Sequence, residues 1–452
     1  MKREHLGSRL GFILLSAGCA IGIGNVWKFP YITGQNGGAI FVLIYLACLV
    51  LLGLPVMTME FAMGRAAQKS PVKMYQELAP GKKWKYHGIV CMAGNVLLLM
   101  CYCTIAGWMI QYFVDMAAGK FVGLDAAAVG NMFPAMTSNT ASMAFYTIAV
   151  VVMATLVCSF SLQGGLERVT KIMMLALLSI MIILAINSCL LPGAAEGLKF
   201  YLMPSWKNVE KAGIGNVIVA AMNQAFFSLS LGMGSMAIFG SYLKKERSLM
   251  GEAVNVVCLD TFVAFTAGLI IFPACSAFGV EAASGPPLVF ITLPNIFNAM
   301  AGGRLWGSLF FVFMSFAALS TVFAVFENIV ACVRDLTEWD RKKACLVTGI
   351  SLCFLTMPCV LGFTVLSDIT ILGLSIMDFE DFLVSNIILP SGSLIFAIFC
   401  VARYGWGWDK FMAEANEGTG LKVAKWMRPY MTFVVPSLIA FIFVYGLYNF
   451  FK

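Results

Sequence analysis

Gly18-Cys19-Ala20-Ile21-Gly22-Ile23-Gly24-Asn25 in the first apolar run, and Ser228-Leu229-Ser230-Leu231-Gly232-Met233-Gly234 in the sixth, decide how this chain reads. Glycine has no Cβ and costs about 1 kcal/mol in a helix interior. Both runs also carry amide or hydroxyl groups, Asn25 in one and Ser228 and Ser230 in the other. They fall at mid-membrane depth, five helices apart. Loops that alternate between the two sides then give two five-helix blocks of opposite orientation. Paired, glycine-interrupted segments in matching places mark an inverted-repeat transporter with its site at the midplane. Close packing through Gly18-xxx-Gly22 is the competing reading, and it explains one such segment far better than two matched ones.

Composition agrees. Of 452 residues, 60% are hydrophobic and 12% charged, more apolar surface than a soluble domain of this length needs. A hydrocarbon core about 30 Å thick takes roughly 20 apolar residues per helical crossing. The net charge of +7 does not point to nucleic acid, because the basic residues sit in short clusters between apolar runs. The 14 cysteines, Cys101 and Cys103 among them, lie mostly inside apolar segments without metal-type spacing, and read as small core residues. The N-terminal stretch reads as a membrane helix rather than a cleavable leader, since it runs on through Trp27-Lys28-Phe29-Pro30.

The expected fold is all-α: a polytopic membrane protein of about eleven helices forming one transporter domain, 1–452. The helices are placed at 9–34, 39–64, 87–116, 142–161, 166–190, 214–243, 249–275, 304–335, 344–361, 370–402 and 430–451. A short helical piece, too short to span, is expected over 286–299. The first repeat covers 1–190 and the second 214–402, with 430–451 as the eleventh helix. With the N-terminus inside, the inner segments hold 23 Lys and Arg residues and the outer ones 7, namely Lys28, Lys120, Lys199, Lys207, Lys211, Arg304 and Lys452. That asymmetry predicts an inner (plasma) membrane protein with a cytoplasmic N-terminus and an external C-terminus.

Several stretches carry a specific resemblance. Arg3-Glu4-His5, Ser8-Arg9-Leu10-Gly11 and Gly22-Ile23-Gly24-Asn25-Val26-Trp27-Lys28-Phe29-Pro30 closely resemble the first helix of the neurotransmitter:sodium symporter family. The resemblance continues through Asn36-Gly37-Gly38, Glu60-Phe61-Ala62-Met63-Gly64-Arg65, Gln224-Ala225-Phe226-Phe227-Ser228-Leu229-Ser230 and Phe290-Ile291-Thr292-Leu293-Pro294, covering essentially the whole chain in order. The eleven-helix form is similar to the bacterial amino-acid transporter branch. It implies a sodium-coupled importer of amino acids working by alternating access in the lipid bilayer.

Broken helices suit a substrate that carries a carboxylate and an ammonium: half-helix N-termini offer N–H groups and free carbonyls receive cations. By resemblance, Ala20, Gly22 and Gly24 line the backbone part of the site and Tyr102 contacts the carboxylate. Phe227, Ser228 and Ser230 supply the sixth-helix side, and Leu98, Met233, Thr321 and Val325 surround the substrate side chain. Taken alone, Tyr102, Phe227 and Met233 read as ordinary bundle packing. Monoamine members of the family carry aspartate where Gly22 stands, so Gly22 argues for an amino acid. Met233 replaces the phenylalanine of several relatives, and an adaptable methionine leaves room for large apolar or aromatic L-amino acids.

The same resemblance implies two sodium ions. One would take the Ala20 carbonyl, Asn25, Ser228, Asp260 and the substrate carboxylate. The other would take the Gly18, Ile21 and Ala317 carbonyls with Ser320 and Thr321. Hard cations prefer such oxygens. Without the resemblance, Ser320 and Thr321 would be read as bonding to the preceding helical turn. Animal members carry asparagine at the Asp260 position and bind chloride beside the first sodium, which implies chloride independence here.

Buried acids are expensive in a membrane. Glu60 resembles the family's buried glutamate that hydrogen-bonds across the broken helices, while solvation in an inner vestibule is as good a reading of Glu327 as function. Charge pairs would close the two mouths, Arg3 with Asp335 near Tyr242 inside and Lys28 with Asp381 outside, Asp378 being the alternative partner. The family usually has arginine at Lys28, so a bidentate pair is lost. Cys19 stands where some relatives have asparagine, and Ser228 replaces the commoner threonine.

A proton-coupled amino-acid transporter of the same fold is the nearest rival, and it needs neither Asn25 nor Ser320-Thr321. A membrane enzyme is disfavoured: His5 and His87 are the only histidines, and no serine-nucleophile or phosphate-loop motif occurs. A channel is disfavoured because the site chemistry is not ring-like.

Overall fold

Five apolar segments carry a proline that an undistorted helix would reject, and the chain absorbs each in the same way. In the computed structural model, which describes residues 4–280 and 287–452, a widened π turn ends two residues before Pro30, Pro55, Pro294, Pro390 and Pro436. These turns are Gly24–Lys28, Leu49–Gly53, Leu288–Thr292, Leu383–Ile388 and Tyr430–Val434. Proline has no N–H and its ring crowds the carbonyl four residues back; a wider turn moves that carbonyl aside. The turn at Leu162–Glu167 has no such proline and holds Gly164-Gly165 instead.

Nine helices among the described residues are long and apolar enough to cross a membrane: α2 (Ala39–Ala67), α3 (Lys85–Ala117), α4 (Thr140–Ser159), α5 (Leu162–Cys189), α7 (Leu249–Ala277), α8 (Gly303–Thr337), α9 (Arg341–Leu361), α10 (Ile376–Val401) and α11 (Met427–Phe451). A tenth crossing is a pair bent by 56°, α1a (Arg9–Ala20) and α1b (Gly24–Gln35). The sixth in chain order is α6a (Ile214–Ser228) followed, after a break, by α6b (Ser235–Gly240). Each half is too short to span alone. The result is the expected all-α polytopic bundle with helices one and six broken.

Burial orders the bundle. The most apolar stretch of α8 is 83% buried, against 33% for α4 and 28% for α11, so α8 is central and the other two face lipid. Small residues let the inner backbones touch: a Cβ on Gly64 of α2 would stand 1.7 Å from the Ala237 carbonyl of α6b, and one on Gly240 would stand 2.5 Å from that of Phe61. Without a hydrophobic drive between helices in lipid, such close approach is what holds them.

Several boundaries differ from the expected ones, the fifth helix starting at Leu162 among them. The tenth helix begins at Ile376, not 370. Leu372 and Gly373 take positive φ (+54° and +77°), Ile371 and Leu374 exchange backbone hydrogen bonds, and Ser375 caps the helix by accepting from the Asp378 amide at 3.2 Å. The ninth and third start earlier, at Arg341 and Lys85, because charged residues occupy their first turns. The non-spanning piece runs from Leu288 to Ala299, and Pro286 lies outside the described residues. Five further short helices, Pro71–Leu78, Ala126–Ser138, Ala194–Leu202, Trp206–Ala212 and Trp408–Ala415, join the crossings.

Candidate functional site

The two glycine-rich stretches unwind side by side. Helix one stops at Ala20 and resumes at Gly24. Helix six stops at Ser228, and Ser230, Gly232 and Gly234 then take φ of +51°, +93° and +72° before Ser235 restarts it. For Ser230 that is a strained conformation, costing on the order of 1–3 kcal/mol. Its hydroxyl donates to the Cys19 carbonyl at 3.1 Å and so ties the two breaks together. Glu60, fully buried, accepts from the Gly232 amide at 2.6 Å. A Cβ on Gly232 would lie 2.1 Å from the Leu389 carbonyl, so only glycine fits.

Between the breaks lies a cavity of about 10 Å³ lined by Cys19, Ala20, Leu98, Tyr102, Phe227, Ser230, Met233, Thr321, Val384 and Leu389. Seven of these ten stand in the substrate set read from the sequence. Cys19, Val384 and Leu389 do not, and the last two come from α10, which carries no glycine break to draw attention to it. Room of that size holds about one water, so the cavity is closed down rather than open. A Cβ on Gly22 would stand 2.5 Å from the Thr321 hydroxyl and 3.2 Å from that of Tyr102. Val325 is buried one turn beyond Thr321 but does not line the cavity. Above it a larger cavity of about 260 Å³ is lined by Gly24, Lys28, Cys101, Asp378 and Asp381 among others. Tyr102 and Phe227 line both, and so form the partition between them.

Two groups of oxygens flank the small cavity. In one, Thr321 Oγ1 lies 3.3 Å from the Gly18 carbonyl and 3.5 Å from those of Ile21 and Ala317; Ser320 Oγ lies 3.3 Å from Ile21 O and 3.0 Å from Ala317 O. Most of these are long for O–H···O bonds. Two hydroxyls within 3.0–3.5 Å of three carbonyl oxygens make a set that could hold a hard cation. In the other, Asn25 Nδ2 donates to Asp260 Oδ1 at 2.7 Å, and Tyr45 links Asp260 Oδ2 (3.5 Å) to Ser228 Oγ (3.1 Å). Gln224 Nε2 donates to the Gly24 carbonyl at 2.9 Å. The oxygens of the Asn25 and Gln224 amides are buried with no hydrogen-bond partner. Buried acceptors left unmatched beside a carboxylate suit a cation.

Lys28 pairs with Asp381 at 3.1 Å and with Ser385 at 3.2 Å, and its ammonium stands 3.9 Å over the Phe227 ring. Asp378 is not the partner: it accepts from Ser375 at 2.6 Å in the cap of α10. At the N-terminal end of the bundle, Arg3 lies outside the described residues. Asp335 Oδ2 accepts from the Ser70 amide at 2.6 Å. Tyr242 donates to Glu327 at 2.8 Å, and Arg341 bonds both carboxylate oxygens of Glu327, one at 3.1 Å. Glu327 is only 1% exposed, so the vestibule-solvated alternative is corrected. His87 is also buried, with Tyr75 at 2.7 Å.

Glu4 completes that network, bonding Arg334 at 2.7 Å with Arg341 at 3.6 Å. Burial pushes its carboxyl up, but Arg341, Arg334 and the Leu162 amide more than offset this and hold it below the ordinary value. The depressed value keeps the Glu4 carboxylate charged through the usual glutamate range, so its pairing stabilises the fold fully above that range and is lost as pH falls through the lowered value. Glu167 was missed by the sequence reading. Its carboxylate accepts from the Gly7 amide (2.8 Å) and Ser8 hydroxyl (2.9 Å) and fills the space where a Cβ on Gly11 would stand. The Glu327–Arg341 pair, 1% and 10% exposed at its side chains, yields a prediction. Arg341→Ala should cost on the order of 3–5 kcal/mol by leaving a buried carboxylate unmatched, whereas Glu327→Met/Arg341→Met should cost less. Thermal unfolding in detergent checks this, and equal losses in the two variants would contradict it.

Comparison with known proteins follows the same lines. The family model for the sodium:neurotransmitter symporter family matches residues 3–122 and 131–452. An uncharacterized sodium-dependent transporter of Bacillus subtilis (strain 168), YhdH, is 35% identical over 98% of this chain and 97% of its own. One from Haemophilus influenzae is 30% identical over 99% of each. The crystal structure of MhsT in complex with L-phenylalanine superposes with a TM-score of 0.89 at 38% identity, covering 98% of this chain and all of that one. This chain is a multi-pass membrane protein of the sodium:neurotransmitter symporter family, a family of sodium-dependent transporters.

Proposed function

We propose that this protein imports hydrophobic L-amino acids, aromatic ones included, together with two sodium ions and without chloride. The observation that carries the reading is the convergence of Gly18, Ile21, Ala317, Ser320 and Thr321 oxygens beside the closed cavity. The second ion is assigned to Ala20, Asn25, Ser228 and Asp260. MhsT, solved with L-phenylalanine, supports the substrate class.

The chemistry follows from the breaks. Amide N–H groups freed at Gly22 and Gly24, with the Tyr102 hydroxyl, receive the substrate carboxylate, while carbonyls freed at the same break face the cations. Leu98, Met233, Val384 and Leu389 surround the side chain, with Val325 beneath. The Lys28–Asp381 pair with Phe227 closes the outer mouth. The Glu4–Arg334–Arg341–Glu327–Tyr242 network closes the inner one, together with Arg3 and Asp335. Residues 1–190 and 214–402 are assigned to the two inverted repeats whose relative rocking alternates access, with the N-terminus cytoplasmic and the C-terminus external.

Uptake of labelled amino acids into proteoliposomes under a sodium gradient tests this. Phenylalanine, tryptophan, tyrosine or leucine should compete, and sodium-free uptake would favour the proton-coupled alternative. Thr321→Ala should weaken sodium-dependent binding at least tenfold, about 1.4 kcal/mol. An unchanged sodium titration in that variant, or competition by glycine and alanine alone, would overturn the reading.

A further inference from the structure

The start of α3 and the end of α10 carry chemistry that transport does not use. Gly81-Lys82-Lys83-Trp84-Lys85-Tyr86-His87 leads into α3, and Arg403-Tyr404 follows α10. Lys82 Nζ and Trp84 Nε1 both donate to the Tyr404 carbonyl, at 2.6 and 3.3 Å. The Trp84 and Tyr404 rings stack with centroids 5.9 Å apart, and the Phe399 ring meets Trp84 edge-on. This fixes the two segments against each other. Beside them opens a cleft of about 360 Å³ lined by Lys83, Trp84, His87 and Ile395. Lys83, Lys85 and Arg403 are exposed and form no ion pair with a carboxylate among the described residues. Beyond His87 the face turns apolar, with Ile89 60% and Val90 44% exposed.

We propose that this cleft binds an anionic phospholipid. The occupant must satisfy two demands at once. The Lys83 ammonium, which lines the cleft without an ion pair among the described residues, calls for phosphate, with Lys85 two residues on in the chain. The exposed Ile89 and Val90 call for an acyl chain continuing along α3. A free phosphate satisfies only the first, and a zwitterionic lipid cancels the charge that the rim selects. Clustered lysines next to a membrane helix attract anionic headgroups, and stacked Trp and Tyr rings sit at headgroup level. The lipid clamps α3 to α10, both of which line the substrate cavity through Leu98, Tyr102, Val384 and Leu389. The proposed orientation enters only in assigning the site to the cytoplasmic leaflet.

The test uses the full-length protein purified in detergent. Dioleoyl-phosphatidylglycerol or dioleoyl-phosphatidylcholine is titrated in while native mass spectrometry counts bound lipid and thermal unfolding is followed. Phosphatidylglycerol should be retained and should raise the midpoint. Lys83→Glu/Lys85→Glu should weaken that binding at least tenfold and remove the shift, whereas Lys199→Glu/Lys207→Glu, at the other end of the bundle, should not. Lys83→Gln/Lys85→Gln serves if the glutamate variant fails to fold, and substrate binding in detergent should be unchanged in either. Equal retention of phosphatidylcholine, undiminished phosphatidylglycerol binding by both lysine variants, or the same stabilisation by inorganic phosphate alone would overturn the proposal. Because the readout is lipid binding, it stands or falls separately from sodium-coupled uptake.

Discussion

Gly22→Asp is expected to abolish amino-acid binding, with a loss of at least a hundredfold, about 2.7 kcal/mol. The position has no room: its Cβ alone would press the Thr321 hydroxyl at 2.5 Å. Thr321 is bound on its other side to carbonyls of the same break, so it cannot retreat without spoiling the oxygen cluster. The carboxylate would then stand where the proposed substrate carboxylate is received, near the Tyr102 hydroxyl, and like charges at low dielectric repel strongly. Gly22→Ala carries the steric part without the charge and should lose less. Equilibrium binding of labelled phenylalanine or leucine to purified protein measures both variants, with size-exclusion profiles reporting folding. Normal affinity in a folded Gly22→Asp protein would place the site elsewhere.

The two breaks were legible because unusual residues mark them, whereas Tyr102, Phe227, Met233, Ser320 and Thr321 came only from the family resemblance. Glycine in a membrane helix is conspicuous, and Gly18 to Gly24 and Gly232 to Gly234 gave away both breaks. A carboxylate in an apolar run is equally conspicuous, which singles out Glu60, Asp260 and Glu327, though the roles of Glu60 and Asp260 came from the resemblance. What stayed hidden has no such marker. Val384 and Leu389 are ordinary apolar residues on α10, and only the packing of that helix against the break turns them inward. Glu167 falls in the first turn of the expected fifth helix with nothing to mark it, yet its carboxylate accepts from the Gly7 amide and the Ser8 hydroxyl in the space that Gly11 leaves, which only a folded structure reveals. Glu327 was visible as a buried acid, but its partner Arg341 had been read as a loop residue ahead of a helix starting at 344. The start of α10 was misplaced because apolar Ile369, Ile371 and Leu372 mimic helix, while Gly373 and Ser375 carry the real boundary.

If sodium coupling runs without chloride as proposed, Asp260→Asn should yield a protein that fails, or that works only when chloride is present. The wild type should take up substrate equally well in gluconate and in chloride. The two proposed sodium ions, buried at low dielectric, would need compensating negative charge, and the substrate would supply one carboxylate only. Asp260 is fully buried and is the carboxylate in reach of the first oxygen group, bonded by Asn25 at 2.7 Å with Tyr45 at 3.5 Å. Asparagine keeps the size and can keep the Asn25 hydrogen bond, so the variant removes charge rather than packing. A small anion entering beside Tyr45, Gln224 and Ser228 would restore the balance, which is why a chloride requirement is an expected outcome along with failure. The sodium concentration for half-maximal uptake should rise at least tenfold in chloride-free buffer, about 1.4 kcal/mol. The competing account is a purely structural Asp260 that bonds within the bundle. It predicts a lower unfolding temperature regardless of sodium, with an unchanged sodium titration. Thermal unfolding with sodium or with potassium separates the two, since a charge-compensating Asp260 makes the loss specific to sodium. A wild type that stops transporting without chloride would overturn the assignment of Asp260 as the compensating charge.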